Sequence, residues 1–250
     1  MSGVDAAGDP RSQLSASGGS ARRADGDDVL PFQHWELRTT EPDETSAAGS
    51  RSWVVRAQNA VLVWTDLAEG DAIVRDDRDE SMLMVLAGEG RVAVEAAGER
   101  AAVAATSIVV IPPGASRVVA EGSARILRLF AVTADDLADR ARNRGLYEPA
   151  PASIAVHAPW PLPRGGKRLR VYADLDEVEP SPDRMGRIFR NRHVMVNLLY
   201  PRVGPRDPGT LSPHDHDDFE QISVAYEGSY VHHIRAHWGK DRRQWREDEH

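Results

Sequence analysis

Residues 81–95 of this chain read SMLMVLAGEGRVAVE, in which an apolar run and an alternating run are separated by a turn sequence. The first run, SMLMVL, is typical of a strand buried on both faces. The second, RVAVE, alternates with the period of two that places successive side chains on opposite faces of a strand. The glycines of the intervening GEG are typical of a turn. We therefore predict two consecutive strands.

Runs of the same kind continue on both sides of this stretch, over about residues 53–130. They read AVLVW at 60–64, SIVVI at 107–111 and ARILRLF at 124–130, with Gly- or Pro-containing turns between them. So many short strands without alternating helices favour a sandwich or barrel over a parallel α/β fold. We expect an all-β, antiparallel fold.

The strongest chemical signal lies further along, in the sequence SPHDHDDFE at 212–220. If this stretch is a regular strand, His214, His216 and Glu220 project from one face, because they are separated by even numbers of residues. Two imidazoles and a carboxylate with open coordination positions suit a divalent transition metal: Fe, Mn, Ni or Zn. The following QISVAY, at 221–226, extends the strand pattern. The alternative is a solvated loop, since the stretch is also rich in Pro, Gly and Asp.

These residues, flanked by Gly209 and Gly228, resemble the first conserved motif of the cupin superfamily, one residue short at the front and one long at the back. Cupins are small antiparallel β-barrels of the jelly-roll type. The resemblance implies that His214, His216 and Glu220 are three of four metal ligands, the fourth being a His from a second motif. No such motif follows Gly228, so the resemblance also implies that this barrel is truncated.

A degenerate copy of the same pattern precedes it, between about residues 70 and 117. The positions of the four ligands hold Asp76, Arg78, Met82 and Arg117. A guanidinium has no lone pair to offer a metal, so the resemblance implies a first barrel without a metal ion. Arg78 and Arg117 either bind an anionic ligand or are surface arginines. We thus expect a cupin-like barrel in two copies, the second incomplete.

The resulting organisation has four segments. Residues 1–28 form a polar, disordered tail, and residues 29–132 form the degenerate N-terminal cupin. Residues 133–166 comprise a helix, capped by Thr133 and extending to Gly145, and a Pro-rich linker. Residues 167–250 form the C-terminal cupin with the metal motif, in which a strand within 187–200 is expected to pair with the metal strand.

Composition excludes several functional classes. The formal net charge is −8 and no basic face is evident, so no nucleic-acid partner is expected. No apolar run approaches the ~20 residues that span a bilayer, so no membrane partner is expected. The absence of Cys removes disulfides and thiolate chemistry and is compatible with a cytoplasmic location.

The function expected from these features is binding of a small molecule. One hypothesis is a metal-dependent enzyme acting on a sugar-like or carboxylate substrate, with the metal as Lewis acid. The alternatives are a non-catalytic ligand-binding or sensing protein and a structural dimerisation module, and a homodimer is compatible with each. The sequence does not choose among reactions, because one fold serves many chemistries.

Overall fold

The computed structural model describes residues 33–151, 154, 156–161, 166–181, 184–207, 209 and 220–232. The chain divides into two compact units: one contains residues 33–150 and 156–200, the other residues 1–32, 151–155 and 201–250. All regular secondary structure of the described residues belongs to the first unit.

The strands of that unit are, in chain order, β1 (Glu44–Thr45), β2 (Arg51–Arg56), β3 (Ala60–Leu67), β4 (Ala72–Asp77), β5 (Ser81–Gly88), β6 (Val92–Ala96), β7 (Glu99–Val103), β8 (Ser107–Ile111), β9 (Gly114–Ala120), β10 (Ala124–Ala131), β11 (Arg170–Tyr172), β12 (Gly186–Arg190) and β13 (Met195–Leu199). The helical elements are short: α1 (Asp135–Ala138) and two 3-10 turns at Arg144–Tyr147 and Leu175–Glu177.

Strand order identifies the fold as a jelly roll. The large sheet has the order β1-β2-β3-β10-β5-β8-β11, the small sheet has the order β4-β9-β6-β7, and β12 pairs with β13. All pairings between these strands are antiparallel. The eight strands from β3 to β10 alternate between the two sheets, except that β6 and β7 form a hairpin within the small sheet, which is the double Greek-key pattern of a jelly roll. The prediction of an all-β jelly-roll fold is confirmed, whereas a second copy of it stays a prediction.

The core lies between the two sheets. Leu83 and Val85 of β5 and Ile126 of β10 pack against Val94 of β6 and Val118 of β9, and all are nearly inaccessible to solvent. Full burial of each such side chain stabilises the fold by roughly 1.5–3 kcal/mol. The other face of the large sheet is also buried, as shown by these residues: Met82, Met84, Val110, Leu127 and Leu129. Burial on both faces explains the apolar runs of its central strands.

The turn between β5 and β6 requires glycine. An added Cβ at Gly90 would lie 2.4 Å from the Cα of Gly122, which is in the turn between β9 and β10. Gly88 has a φ of +149° and would place a Cβ 2.6 Å from the carbonyl oxygen of Ser123. The GEG sequence therefore allows two turns to pack backbone against backbone.

The helix after the barrel is much shorter than predicted. It consists of the single turn α1, and Thr133 does not cap it, because its hydroxyl donates to Asp79 Oδ2 at 2.6 Å. Beyond α1 the chain binds strand β2: the Arg142 amide donates to the Val54 carbonyl at 3.0 Å, and the Arg56 amide donates to Asn143 Oδ1 at 2.9 Å. These contacts compete with the hydrogen bonds that would continue a helix.

One strand expectation for the C-terminal half needs correction, and another is not tested. Residues 187–200 form most of β12 and all of β13, which pair with each other, whereas the proposed metal strand at 214–219 lies outside the described residues. Residues 220–232 contain no strand, and Ile222 and Val224 are 45% and 40% exposed. A strand needs a neighbour for its backbone groups, and the alternation of QISVAY does not supply one. The strand β11, which also lies in this half, pairs with β8 of the large sheet.

None of the helices in the described residues is long and apolar enough to cross a membrane.

Candidate functional site

Of the three predicted metal ligands, only Glu220 lies among the described residues, while His214 and His216 lie outside them. Glu220 is half-buried and interacts with another residue. Within the described residues, no group of three or more His, Asp or Glu side chains is placed to hold a metal ion. The metal site therefore stays a prediction.

The expected ligand positions of the first barrel are displaced by one residue. Ile73 of β4 packs against the core, so the inward-facing positions that follow it are Arg75 and Asp77. Asp76 and Arg78, which the motif places inside, are exposed. A shift of one residue along a strand moves every side chain to the other face.

Of the two alternatives for Arg78 and Arg117, the structure agrees with surface arginines. Arg78 donates to Asp135 Oδ2 at 2.8 Å and to the Thr133 carbonyl at 2.7 Å. Arg117 of β9 is exposed and has Val74 and Glu95 as its cross-strand neighbours, on the outer face of the small sheet. Met82, the remaining motif position, is fully buried and alternates with the core residue Leu83. The four motif positions thus do not meet inside the barrel.

The barrel interior instead contains an arginine that the motif does not include. Arg128 of β10 pairs with Val63 of β3 on one side and Leu83 of β5 on the other. It shares the inward parity of Ile126 and is only 7% exposed. A charged side chain thus occupies the middle of a sheet face that is otherwise apolar apart from small hydroxyl residues such as Thr65 and Ser81. Its sequence signal is a charge at an inward position of the alternating run 124–130.

Phe130 is contacted by two guanidiniums. The Cζ atoms of Arg75 and Arg128 lie 5.1 Å and 5.4 Å from its ring centroid, within the range of cation–π contacts. The two arginines come from opposite sheets, Arg75 from β4 and Arg128 from β10. Two positive charges therefore lie near one another at this end of the interior.

Arg75 is fully engaged by carboxylates. Its Nε and Nη2 donate to Asp77 Oδ1 at 2.8 and 2.7 Å, and its Nη1 and Nη2 donate to Asp136 at 2.9 Å. The bonds to Asp136 are the largest influence on the Arg75 pKa, which is raised although burial alone would lower it. The same bonds lower the pKa of Asp136. These contacts tie β4 to α1.

Arg128 has no comparable partner. Its Nε is buried without a hydrogen-bond partner, and no carboxylate of the described residues forms an ion pair with it. Burial lowers the pKa of Arg128 to about 10, and repulsion from Arg75 acts in the same direction. Burying an unpaired charge is costly, so a structure that retains one calls for an explanation.

A recess of about 250 Å³ opens at the same end of the barrel. Arg75 and Asp77 line it from the barrel, and Thr133 with Asp135 and Asp136 line it from the segment that leads into α1. Arg75 and Asp77 also act on the charge of Arg128. Arg128 is not among the residues that line it.

The donor set of this interior does not fit a metal ion. The two guanidiniums have no lone pairs and repel cations, and Asp77, the inward carboxylate of β4, is bound to Arg75. The recess itself is lined by two arginines and four aspartates, so its lining is acidic.

A second polar cluster attaches the β12–β13 hairpin to the barrel. Glu80 Oε2 accepts hydrogen bonds from Arg170 Nη2 at 2.9 Å and from the Arg192 amide at 3.1 Å. Asn191 donates to the Glu80 carbonyl at 3.3 Å. Glu80 is almost fully buried, so the hairpin turn closes over its carboxylate. Sequence analysis missed this cluster, since its members are far apart in the chain.

An Asp–His pair belongs to the same cluster. His193 Nε2 lies 3.1 Å from Asp79 Oδ1, within ion-pair distance although without hydrogen-bond geometry. Burial raises the pKa of Asp79, but the hydrogen bond from Thr133 and the charge of His193 outweigh it, so the pKa is lowered. Asp79 is therefore held as a carboxylate that links the hairpin turn to Thr133.

Comparison with known proteins gives structural similarities only. No protein-family model and no curated protein matches this chain. An RmlC-like cupin from Shewanella frigidimarina NCIMB 400 is 15% identical, with 41% of this chain and 92% of that chain covered and a TM-score of 0.36. KdgF from Halomonas sp. is 15% identical, covering 40% of this chain and 94% of that one, with a TM-score of 0.36.

A third solved structure is a cupin superfamily protein from Desulfitobacterium hafniense DCB-2. It is 11% identical, with 41% of this chain and 94% of that chain covered and a TM-score of 0.33. Because these scores and identities are low, the assignment of the fold rests on the strand order of the chain itself.

Proposed function

We propose that this protein is a cupin that binds a small molecule and holds a divalent transition metal through His214, His216 and Glu220. The observation that carries the proposal is the His-x-His-x3-Glu order, whose even spacing would place three ligands on one face of a strand. Iron, manganese, nickel and zinc all accept two imidazoles and a carboxylate. A bound metal with an open position would act as a Lewis acid toward a substrate carbonyl.

The residues inside the first barrel disfavour a metal ion there, so a metal would bind elsewhere in the chain. Arg75 and Arg128 lie in that interior, and guanidinium groups disfavour a cation. If the chain carries a metal, the C-terminal motif is therefore the place where we expect it. The two-barrel arrangement, with a second barrel formed within 167–250, is part of the same proposal.

The experiment is metal analysis by mass spectrometry of the purified full chain and of the double variant His214→Ala/His216→Ala. We expect near-stoichiometric transition metal in the wild type and its loss in the double variant. His232→Ala is the matched control, because it removes an imidazole that lies outside the motif. Equal metal content in all three proteins would refute the proposed site.

A second candidate is binding or sensing without catalysis. The observation that favours it is that the first barrel carries arginines at inward positions, which suit recognition of a ligand rather than metal chemistry. Conversion of a bound small molecule by the metal-loaded chain would favour an enzyme, whereas binding without conversion would favour a sensor. A homodimer and a cytoplasmic location remain part of the proposal, and light scattering tests the former.

A further inference from the structure

The turn between β12 and β13 lies against the loop that connects β4 to β5. The Asn191 side chain donates to the Glu80 carbonyl at 3.3 Å, and the Arg192 amide donates to Glu80 Oε2 at 3.1 Å. His193 Nε2 lies 3.1 Å from Asp79 Oδ1, and the His193 side chain is 8% exposed. Three consecutive residues of the turn thus contact two consecutive acidic residues of the barrel.

The contact between His193 and Asp79 depends on charge. Its distance is that of an ion pair, but Nε2 of His193 is buried without hydrogen-bond geometry toward any acceptor in the part of the chain that the structure describes. A neutral imidazole in this position gains little from the carboxylate, whereas an imidazolium is attracted to it. Histidine is the side chain whose charge ordinarily changes between pH 5 and 8. We therefore expect the attachment of the turn to change with pH in that range.

Asp79 stays ionised over the same range. Burial raises its pKa, but the hydrogen bond from the Thr133 hydroxyl and the charge of His193 outweigh burial, so the pKa of Asp79 is lowered. Asp79 Oδ1 also lies 3.9 Å from a terminal nitrogen of Arg192, whose guanidinium keeps its proton. The charge that changes at this contact is therefore that of the imidazole.

Two further ion pairs flank the contact. Glu80 is paired with Arg170 of β11 at 2.9 Å, and Arg78 is paired with Asp135 at 2.8 Å. Each pair joins a carboxylate to a guanidinium and is neutral as a unit. Neither pair therefore supplies the counter-charge of His193.

Two basic side chains act against a positive charge on His193. Arg192 precedes it in the turn, and the ring of His157 lies 6.2 Å from the ring of His193 between centroids. His157 Nε2 lies 3.3 Å from the Arg192 carbonyl oxygen, so His157 also belongs to the surroundings of the turn. Among the charged groups named here, Asp79 is the one that favours the imidazolium.

We propose that His193 acts as a pH-sensitive switch that controls how tightly the β12–β13 hairpin is attached to the barrel. In mildly acidic solution the imidazolium is attracted to Asp79, and the hairpin is held more tightly. As pH rises toward 8, the imidazole loses its proton to solvent. The backbone and side-chain contacts with Glu80 remain, so the hairpin opens more often while the barrel stays folded. The switch involves none of the proposed metal ligands and stands or falls independently of the metal.

The experiment is amide hydrogen–deuterium exchange of the full chain, measured by mass spectrometry at about pH 5.5 and about pH 8 and corrected for the intrinsic exchange rate at each pH. Peptides from β5 and β10 report the barrel core and serve as the internal reference. Relative to that core, we expect the opening equilibrium of the hairpin to increase about fivefold at the higher pH, the effect of losing a good ion pair.

Matched variants identify the group responsible. His193→Gln and Asp79→Asn should each give hairpin exchange that does not change with pH, whereas His157→Gln should keep the dependence of the wild type. Equal opening of the wild-type hairpin at both pH values would overturn the proposal without recourse to any variant. A pH dependence that persists in His193→Gln, or that is lost in His157→Gln, would also overturn it, the latter by assigning the switch to His157.

Discussion

Arg75 and Asp136 are joined by two hydrogen bonds of 2.9 Å, which connect strand β4 of the small sheet to the single turn of α1. Both terminal nitrogens of the guanidinium take part, so the carboxylate is held in the paired geometry typical of strong Arg–carboxylate contacts. At the end of the barrel that carries the recess, β4 and α1 are thus connected by an ion pair between residues that are 61 positions apart in the sequence.

This pair gives a pH dependence of stability. The hydrogen bonds from Arg75 lower the Asp136 pKa below its ordinary value of 3.8, so the ionised carboxylate stabilises the folded state. That stabilisation is complete above the unfolded-state pKa and is lost as pH falls through the lowered folded-state pKa. Asp136→Asn should lower Tm at neutral pH, and the difference from wild type should vanish in acid. Asp139→Asn, also exposed on the segment after α1, should show no such pattern in thermal unfolding.

Because Arg128 is buried without an ion-pair partner, we predict that its replacement by an apolar residue does not destabilise the folded state. Arg128→Met should be at least as stable as the wild type in urea unfolding, because replacement of a buried charge by an apolar side chain of similar length removes a desolvation cost. A loss of several kcal/mol would mean that the cation is already well satisfied in the fold.

The lowered pKa of the same residue leads us to predict how the stability of the protein changes in alkaline solution. Burial lowers the Arg128 pKa to about 10, well below its ordinary value, so its protonated form disfavours folding below that pH. As pH rises through about 10, the cost is relieved and the stability of the wild type should approach that of Arg128→Met. A gap between the two proteins that widens above pH 10 would contradict this assignment.

Because the β5–β6 and β9–β10 turns are in contact, we predict that one added methyl group between them strongly lowers the free energy of unfolding. Gly90→Ala would place a Cβ 2.4 Å from the Cα of Gly122, and neither backbone can yield cheaply. We expect a loss of about 1–3 kcal/mol or more in the free energy of unfolding. Gly145→Ala is the control, since no heavy atom lies within 4 Å of the added Cβ. Equal stability of the two variants would show that the turns do not meet.

We expect the carboxylate of Glu80 to keep the β12–β13 hairpin attached to the barrel. Its side chain is 5% exposed and pairs with Arg170 at 2.9 Å, so Glu80→Gln leaves a partly buried guanidinium without its counter-charge. We expect a loss of about 3 kcal/mol and faster amide exchange in β12 and β13. Glu95→Gln removes an exposed ion pair with Arg100 and should cost about 1 kcal/mol or less. Unchanged exchange in the hairpin of Glu80→Gln would contradict the role given to Glu80.

The four central strands of the large sheet were predictable from sequence, whereas most of the small sheet was not. Strands β3, β5, β8 and β10 are buried on both faces, so their sequences are apolar runs, and the run SIVVI gave β8 with its observed ends. Strands β4, β7 and β9 were not singled out, because their outward positions carry charges such as Arg100 and Arg117. An alternating sequence that contains few apolar residues does not distinguish a strand from a loop.

The sequence motif placed the inward-facing positions of β4 one residue away from where the structure has them, for a related reason. A motif counts residues, whereas the inward face of β4 is set by its register with β9, in which Arg75 lies opposite Ser116. Spacing alone therefore assigned Asp76 and Arg78 to the interior. Arg128 was identifiable, since it interrupts the inward face that begins with Ala124 and Ile126, but its lack of a partner depends on tertiary structure.

The most direct test of the proposed metal site is a titration of the metal-free full chain with Co²⁺, monitored by paramagnetic proton NMR. We predict saturation at one equivalent and shifted imidazole resonances that disappear in His214→Ala and in His216→Ala, with weaker binding in Glu220→Gln. No saturable binding, or unchanged shifted resonances in both histidine variants, would contradict the assignment of His214, His216 and Glu220 as metal ligands.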